Sequence, residues 1–110
     1  MVKILGAVVF TAFLLFETIG SPVPYTATAY ALQGRTASGY KVGRGIVAAD
    51  TRLLPLGTRI KLDGGTYSGI YVVRDRGGRI KGRKLDIWVP SVHEARRFGR
   101  RKVHVTVLKS

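Results

Sequence analysis

Asp75-Arg76-Gly77-Gly78-Arg79-Ile80-Lys81-Gly82-Arg83-Lys84-Leu85-Asp86-Ile87-Trp88-Val89-Pro90 joins two strands through a glycine loop. Asp75 ends the apolar run Tyr71-Val72-Val73-Arg74. The chain then loops through Gly77, Gly78 and Gly82 and enters a second strand at Leu85, which Pro90 stops. Alternation in that strand puts Leu85, Ile87 and Val89 on one face, and Asp86 with Trp88 on the other. The apolar face packs inward. Aspartate is unfavourable in a strand interior, so Asp86 demands a reason that a turn residue does not.

Working outward, the same signals recur. Thr26 to Leu32 alternates Thr and Tyr with Ala, Ile46 to Ala49 is a short apolar run, and Val103 to Val107 alternates strictly. Thr58 to Leu62 and Tyr67 to Arg74 flank Asp63-Gly64-Gly65 as a hairpin. Gly34 to Gly45 is a loop, and Leu54-Pro55-Leu56-Gly57 a turn. Ser91-Val92-His93-Glu94 fits a capping box, with Ser91 as cap and Glu94 bonding back to the Ser91 amide. The helix would end at Phe98 before Gly99. Six short strands with edges to hide, plus one short helix, predict an all-β closed barrel.

Composition narrows the function. At 110 residues and 12.0 kDa the chain holds one domain. Its 45% hydrophobic content excludes a disordered basic tail. Nineteen Lys and Arg against six Asp and Glu give a formal charge of +13. Without cysteine there is no disulfide scaffold, thiol nucleophile, Cys-ligated zinc or cysteine lipid anchor. Two histidines and six acids leave little for a metal, and no cofactor is expected.

The first residues read as an address. Lys3 precedes an apolar run from Ile4 to Phe16, which as a helix would rise ~20 Å, short of the ~30 Å hydrocarbon core. A break follows at Gly20-Ser21-Pro22. This pattern predicts a secretory signal or an N-terminal anchor over residues 1–24, linker included, ahead of a barrel domain over 25–110. A buried first helix is the alternative.

The acids sort by position. Glu94 has a place in the capping box and Asp63 in the hairpin, and Glu17 lies in the leading segment. Asp50, Asp75 and Asp86 remain, each at a strand end or beside a glycine loop. Trp88 suits either sugar stacking or core. Ser38 and Lys81 are either ligands for hydroxyls and carboxylates or solvated loop residues. His93 and His104 read as surface side chains.

These residues resemble the 3D domain family, named for three aspartates. The resemblance rests on Thr28-Ala29-Tyr30, Thr36-Ala37-Ser38-Gly39, Val47-Ala48-Ala49-Asp50, Leu54-Pro55-Leu56-Gly57-Thr58 and above all the stretch from Asp75 to Asp86. Glu94-Ala95, Phe98-Gly99 and the final valine strand extend it. Arg79 departs from the small residue usual after Gly-Gly. The rare lipoprotein A family shares two of the motifs but usually has His where Asp50 stands. The resemblance implies a six-stranded double-psi β-barrel, as in membrane-bound lytic transglycosylase A and muralytic stationary-phase proteins.

It also implies a chemistry: cleavage of peptidoglycan glycan strands without water, the muramyl C6 hydroxyl attacking its own C1. An internal nucleophile removes the need for a second carboxylate to activate water. Asp86 maps to the acid that then serves as base, with Asp75 and Asp50 in support. Gly77 and Gly78 map to a tight turn of positive φ beside the substrate, with Ser38, Lys81 and Trp88 as further contacts. A barrel that binds glycan without cutting it is the alternative. The run Arg96-Arg97 with Arg100-Arg101-Lys102 raises nucleic acid, but the leading segment favours export and an anionic envelope surface as the partner of these cations, with no specific nucleic acid.

Overall fold

A computed structural model describes residues 20–108 of the chain. The expected export segment, Met1 to Gly20, lies outside them apart from Gly20. The elements are β1 (Val23–Tyr30), β2 (Ile46–Ala49), β3 (Arg59–Asp63), β4 (Gly69–Asp75), β5 (Lys84–Trp88), helix α1 (Val92–Phe98) and β6 (Arg101–Val107). Hydrogen bonding runs β1-β5-β2-β4-β3-β6 and returns to β1, so the six strands close into a barrel. Closure satisfies the strand edges that an open sheet of this size would expose.

Two pairs, β1/β5 and β2/β4, are parallel, and the other four are antiparallel. Exchanging β1 with β4, β2 with β5 and β3 with β6 leaves the neighbour order unchanged. Each half of the chain therefore lends one strand to each parallel pair, the crossed arrangement of a double-psi barrel. The β5/β2 pair joins the two parallel pairs, and the chemistry-bearing strand β5 is walled by β1 and β2 on its two sides.

The core follows from alternation. Ala27, Val47, Ile60, Val73, Leu85 and Val103 each show 1% exposure or less and meet inside the barrel. Burying each branched side chain contributes about 1.5–3 kcal/mol. Helix α1 covers one opening with Phe98, which is buried against Tyr67 at 4.8 Å between ring centres. Ser91 caps α1 by accepting from the Glu94 amide, and Gly99 ends it at φ 65°.

Four local expectations differ. Strand β1 begins at Val23 and includes Pro24, tolerated because β1 pairs only with β6 there and β5 joins from Thr26. The β3–β4 connection is not a tight hairpin; Leu62 pairs with Gly69, and a 3-10 turn over Gly65–Tyr67 intervenes. Tyr67 explains it, since its ring is drawn onto Phe98. Glu94 does not return a bond to Ser91. Its carboxylate instead takes a bidentate bond from Arg44 and one from the Tyr67 hydroxyl at 2.6 Å. Finally, Gly77 and Gly78 do not have positive φ; Gly82 carries the loop's left-handed position at φ 74°.

The fold makes a direct prediction. Ile60→Ala, in β3 and away from Asp86, should lower stability by about 2–5 kcal/mol through the cavity it leaves. A denaturant titration that shows no shift of the midpoint would contradict this account of the core.

Candidate functional site

The site is built by register. Thr28 of β1 pairs with Asp86 of β5, Asp86 pairs with Ala48 of β2, and Ala48 pairs on its other side with Asp75 of β4. The four residues form one row across four neighbouring strands. Asp75 enters the row through a bulge: Val47 faces Val73, but the next β2 residue faces Asp75, so Arg74 is skipped. A bulge re-aims the following side chain, and here it trades an arginine for a carboxylate beside Ala48.

The loop after β1 holds that bulge in place. The Arg74 carbonyl accepts from the Ser38 hydroxyl at 2.7 Å and from its amide at 3.3 Å. The Ala37 amide donates to Asp75 Oδ1 at 2.9 Å, as does the Arg76 amide, and the Tyr30 hydroxyl reaches Oδ2 at 3.4 Å. The Arg74 guanidinium lies over the Tyr40 ring at 3.8 Å. The Thr36-Ala37-Ser38-Gly39 loop thus grips the end of β4.

Asp75 and Asp86 open into one cleft of about 280 Å³. Ala48 is its floor, and Tyr30, Leu32, Gly77, Gly78 and Ile80 are among its walls, with Arg76 and Arg79 at the rim. The backbones of the two aspartates stand two strands apart, about 10 Å. Ala48 is 5% exposed but outside the core cluster, so a small side chain fills the floor between the carboxylates. A Cβ on Gly77 would stand 2.7 Å from Ile80 Cγ1, so its missing side chain, not its φ, is what the loop requires.

The two carboxylates differ in setting. Burial pushes the Asp86 carboxyl above the usual carboxylate range; the nearby Asp75 adds to the rise, and a bond from the Thr28 hydroxyl at 2.9 Å opposes it. Only Oδ1 of Asp86 is bonded in this way, and Oδ2 has no partner among the described residues. Tyr30 is also pushed up, by burial first and then by Asp75 and Asp86, so it stays a neutral donor.

Asp50 stands apart. It is 7% exposed and borders the far side of the glycine loop with Arg52, Gly77, Gly78 and Lys81, in a recess of about 180 Å³. Its carboxylate accepts from Arg52 Nε and a second guanidine nitrogen, and from the Arg52 and Gly82 amides. These donors, Arg52 first, hold the Asp50 carboxyl far below its ordinary range. Asp50 ties the end of β2 to the end of the loop that shapes the cleft.

Of the residues singled out from sequence, the structure brings Asp75, Asp86, Gly77 and Gly78 to one cleft. Asp50 and Lys81 lie behind the loop. Ser38 serves the bulge, and its hydroxyl is committed there. Trp88 does not line the cleft. At 8% exposure it turns its indole N–H to the Leu32 carbonyl at 2.7 Å, in the segment that follows β1. Sequence reasoning misses Thr28, Tyr30, Ala37 and Ala48 as parts of the site. The alternation of Thr26 to Leu32 does put Thr28 and Tyr30 on one face.

Asp50 yields a pH prediction. Its lowered carboxyl contributes stability above the carboxylate range of the unfolded chain, and loses it as pH falls through the folded value. Asp50→Asn should therefore lower the melting temperature at neutral pH and flatten its fall in strong acid. Melting curves over that range with the same acid slope as the parent would refute the brace.

Known proteins share this architecture. The chain is 35% identical over 88 residues to the cell wall-binding protein YocH of Bacillus subtilis strain 168, covering 76% of this chain and 30% of that protein. It is 30% identical over 92 residues to the putative cell wall shaping protein YabE of the same organism, covering 80% and 22%. The chain thus spans less than a third of these two relatives. Among solved structures it is similar to MltA from E. coli, at 28% identity and a TM-score of 0.61 over 72% of this chain and 28% of that one. MltA with bound chitohexaose gives 27% and 0.61 over the same shares. The model of the 3D domain matches residues 45–109, more than half of the chain, and the chain belongs to the 3D domain family.

Proposed function

We propose that this domain is an exported lytic transglycosylase that cleaves the MurNAc-GlcNAc bond of peptidoglycan. The observation that carries it is the pair across Ala48: a half-buried carboxyl raised by desolvation, with a second carboxylate two strands away in the same open cleft. Binding alone calls for neither. The likeness to the lytic transglycosylase MltA and to relatives named for the cell wall supports the substrate class.

In this proposal Asp86 acts twice. Its carboxyl gives a proton to the glycosidic oxygen as the C1–O bond breaks. The C6 hydroxyl oxygen then bonds to C1, and its proton returns to Asp86, which is regenerated. Asp75 has two effects: its negative charge holds Asp86 protonated, and it faces the positive charge that develops at C1. Thr28 fixes one oxygen of Asp86 and leaves the other for the substrate. The Tyr30 hydroxyl and the Ala37 amide keep Asp75 in place. Asp50 supports the loop from behind. Glycan strands are the partner, the leading segment directs export, and surface cations hold the domain at the anionic envelope.

Three outcomes test this. Asp86→Asn should cut cleavage by about 10²–10⁴ while melting no lower than the parent at neutral pH, because it removes a carboxylate that burial disfavours. Parent activity should fall as pH rises through the raised Asp86 value, where the acid form is lost. Products should carry 1,6-anhydro ends by mass, one water lighter than hydrolysed ends. Reducing ends would make the protein a hydrolase. An uncleaved but bound glycan would favour the binding barrel that the name of YocH suggests.

Ala48→Leu should block the cleft floor. Glycan binding measured by calorimetry should fall while the fold, read by circular dichroism, persists. Unchanged affinity would move the substrate elsewhere.

A further inference from the structure

A second recess is larger than the aspartate cleft. About 460 Å³ in volume, it is lined by Arg44, Thr66, Tyr67, Tyr71, Glu94, Arg97, Phe98 and Arg101. None of these belongs to the row around Ala48, and three arginines face a single glutamate. We propose that this recess is a binding site for one phosphodiester unit of a polyol phosphate polymer, separate from the glycan cleft and independent of the chemistry assigned there.

Preorganisation carries the proposal. Arg101 donates from Nε and from a second guanidine nitrogen to the Phe98 carbonyl, at 3.2 and 3.0 Å. Its guanidinium lies 4.1 Å over the Phe98 ring and 5.5 Å from the Tyr67 ring centre. A guanidinium has five N–H donors, so a fixed fork keeps donors for a ligand at little entropic cost. The opposite wall is equally fixed: Glu94 is held by Arg44 at 2.9 Å and by the Tyr67 hydroxyl. Arg97 has no ion pair, and the Thr66 hydroxyl no hydrogen bond, among the described residues. Both point to unused donors at the mouth.

The chemistry selects the occupant. Arginine forks beside a free hydroxyl suit a phosphate, which a guanidinium can take through two parallel bonds. Arg101 lies against the rings of Tyr67 and Phe98, and Tyr71 is buried, so the recess offers little open aromatic face for a base, which argues against nucleic acid. None of the exposed large apolar side chains (Leu32, Tyr40, Leu53, Leu56, Ile70, Val92) borders the recess, which argues against insertion into a lipid surface. Arg96, Arg100 and Lys102 are exposed as well and add positive charge along α1 and the start of β6, which suits a polyanion.

The test uses the whole chain with poly(glycerol phosphate) and inorganic phosphate as probes. Both should shift the amide resonances of Thr66, Tyr67 and Arg101 saturably, leaving those of Asp75 and Asp86 unmoved. Arg97→Glu should weaken polymer binding about tenfold more than Arg59→Glu, the same charge change on an exposed β3 residue outside the recess, since a charge-assisted hydrogen bond is lost in one case only. Arg97 is exposed and unpaired among the described residues, so both variants should melt like the parent. Equal losses would mean diffuse attraction and no site. Equal binding of polyglutamate of matched charge would overturn the assignment to phosphate, and tighter binding to anionic vesicles than to the polymer would overturn the choice of a soluble polyol phosphate.

Discussion

The register shift between β2 and β4 is the constraint on which the site depends. Without the bulge Arg74 would face Ala48, and Asp86 would have a cation for a neighbour instead of a carboxylate. Its pKa logic would then invert, since an opposite charge favours ionisation. A bulge locally disrupts the ladder. Ser38 holds this one with two bonds to the Arg74 carbonyl. The loop that does so also brings Ala37 and its amide to Asp75. One irregularity thus explains why a Thr-Ala-Ser-Gly segment some 36 residues away belongs to the same site.

A domain with a formal charge of +13 should keep its carboxylates ionised. The three aspartates show how locally that pressure is decided. Asp50 has a guanidinium and two amides within hydrogen-bond reach, and its carboxyl falls far below the normal range. Asp86 has a hydroxyl on one oxygen and burial around the rest, and it rises. Arg76 and Arg79 stand at the cleft rim but are exposed, where solvent screens them. Placement relative to water decides more than the count of nearby cations.

Strand content was legible from alternation because each strand buries one face, as in Val103 and Val105 with exposed His104 between them. Closure followed from the two edges that an open six-stranded sheet would expose. Asp86 was legible because the residue type contradicted its position. What local pattern cannot carry is pairing. Thr28 and Tyr30 share a face in the sequence, but their partners become known only when β1 lies parallel to β5 across 58 residues. Glu94 reads locally as a capping-box residue, and its actual partner Arg44 is 50 positions away. Trp88 is paired in register with Tyr30, but the segment after β1 takes its indole N–H at the Leu32 carbonyl, a contact that alternation alone does not show.

The exchange relation of the barrel explains why the cleft forms where it does. Under it β1 corresponds to β4, so Tyr30 and Asp75, the last residues of those strands, are counterparts. The loops that follow them, 31–45 and 76–83, are counterparts as well. Their roles have diverged. One folds back to bind the bulge and Asp75, and the other shapes the cleft wall and is pinned from behind by Asp50 through Gly82. β5 and β2 exchange with each other and are neighbours, each flanked on its other side by its parallel partner, β1 or β4. Any residue of β2 opposite Asp86 therefore also borders β4. Ala48 holds that place, and its small side chain keeps the space between two carboxylates open for a substrate.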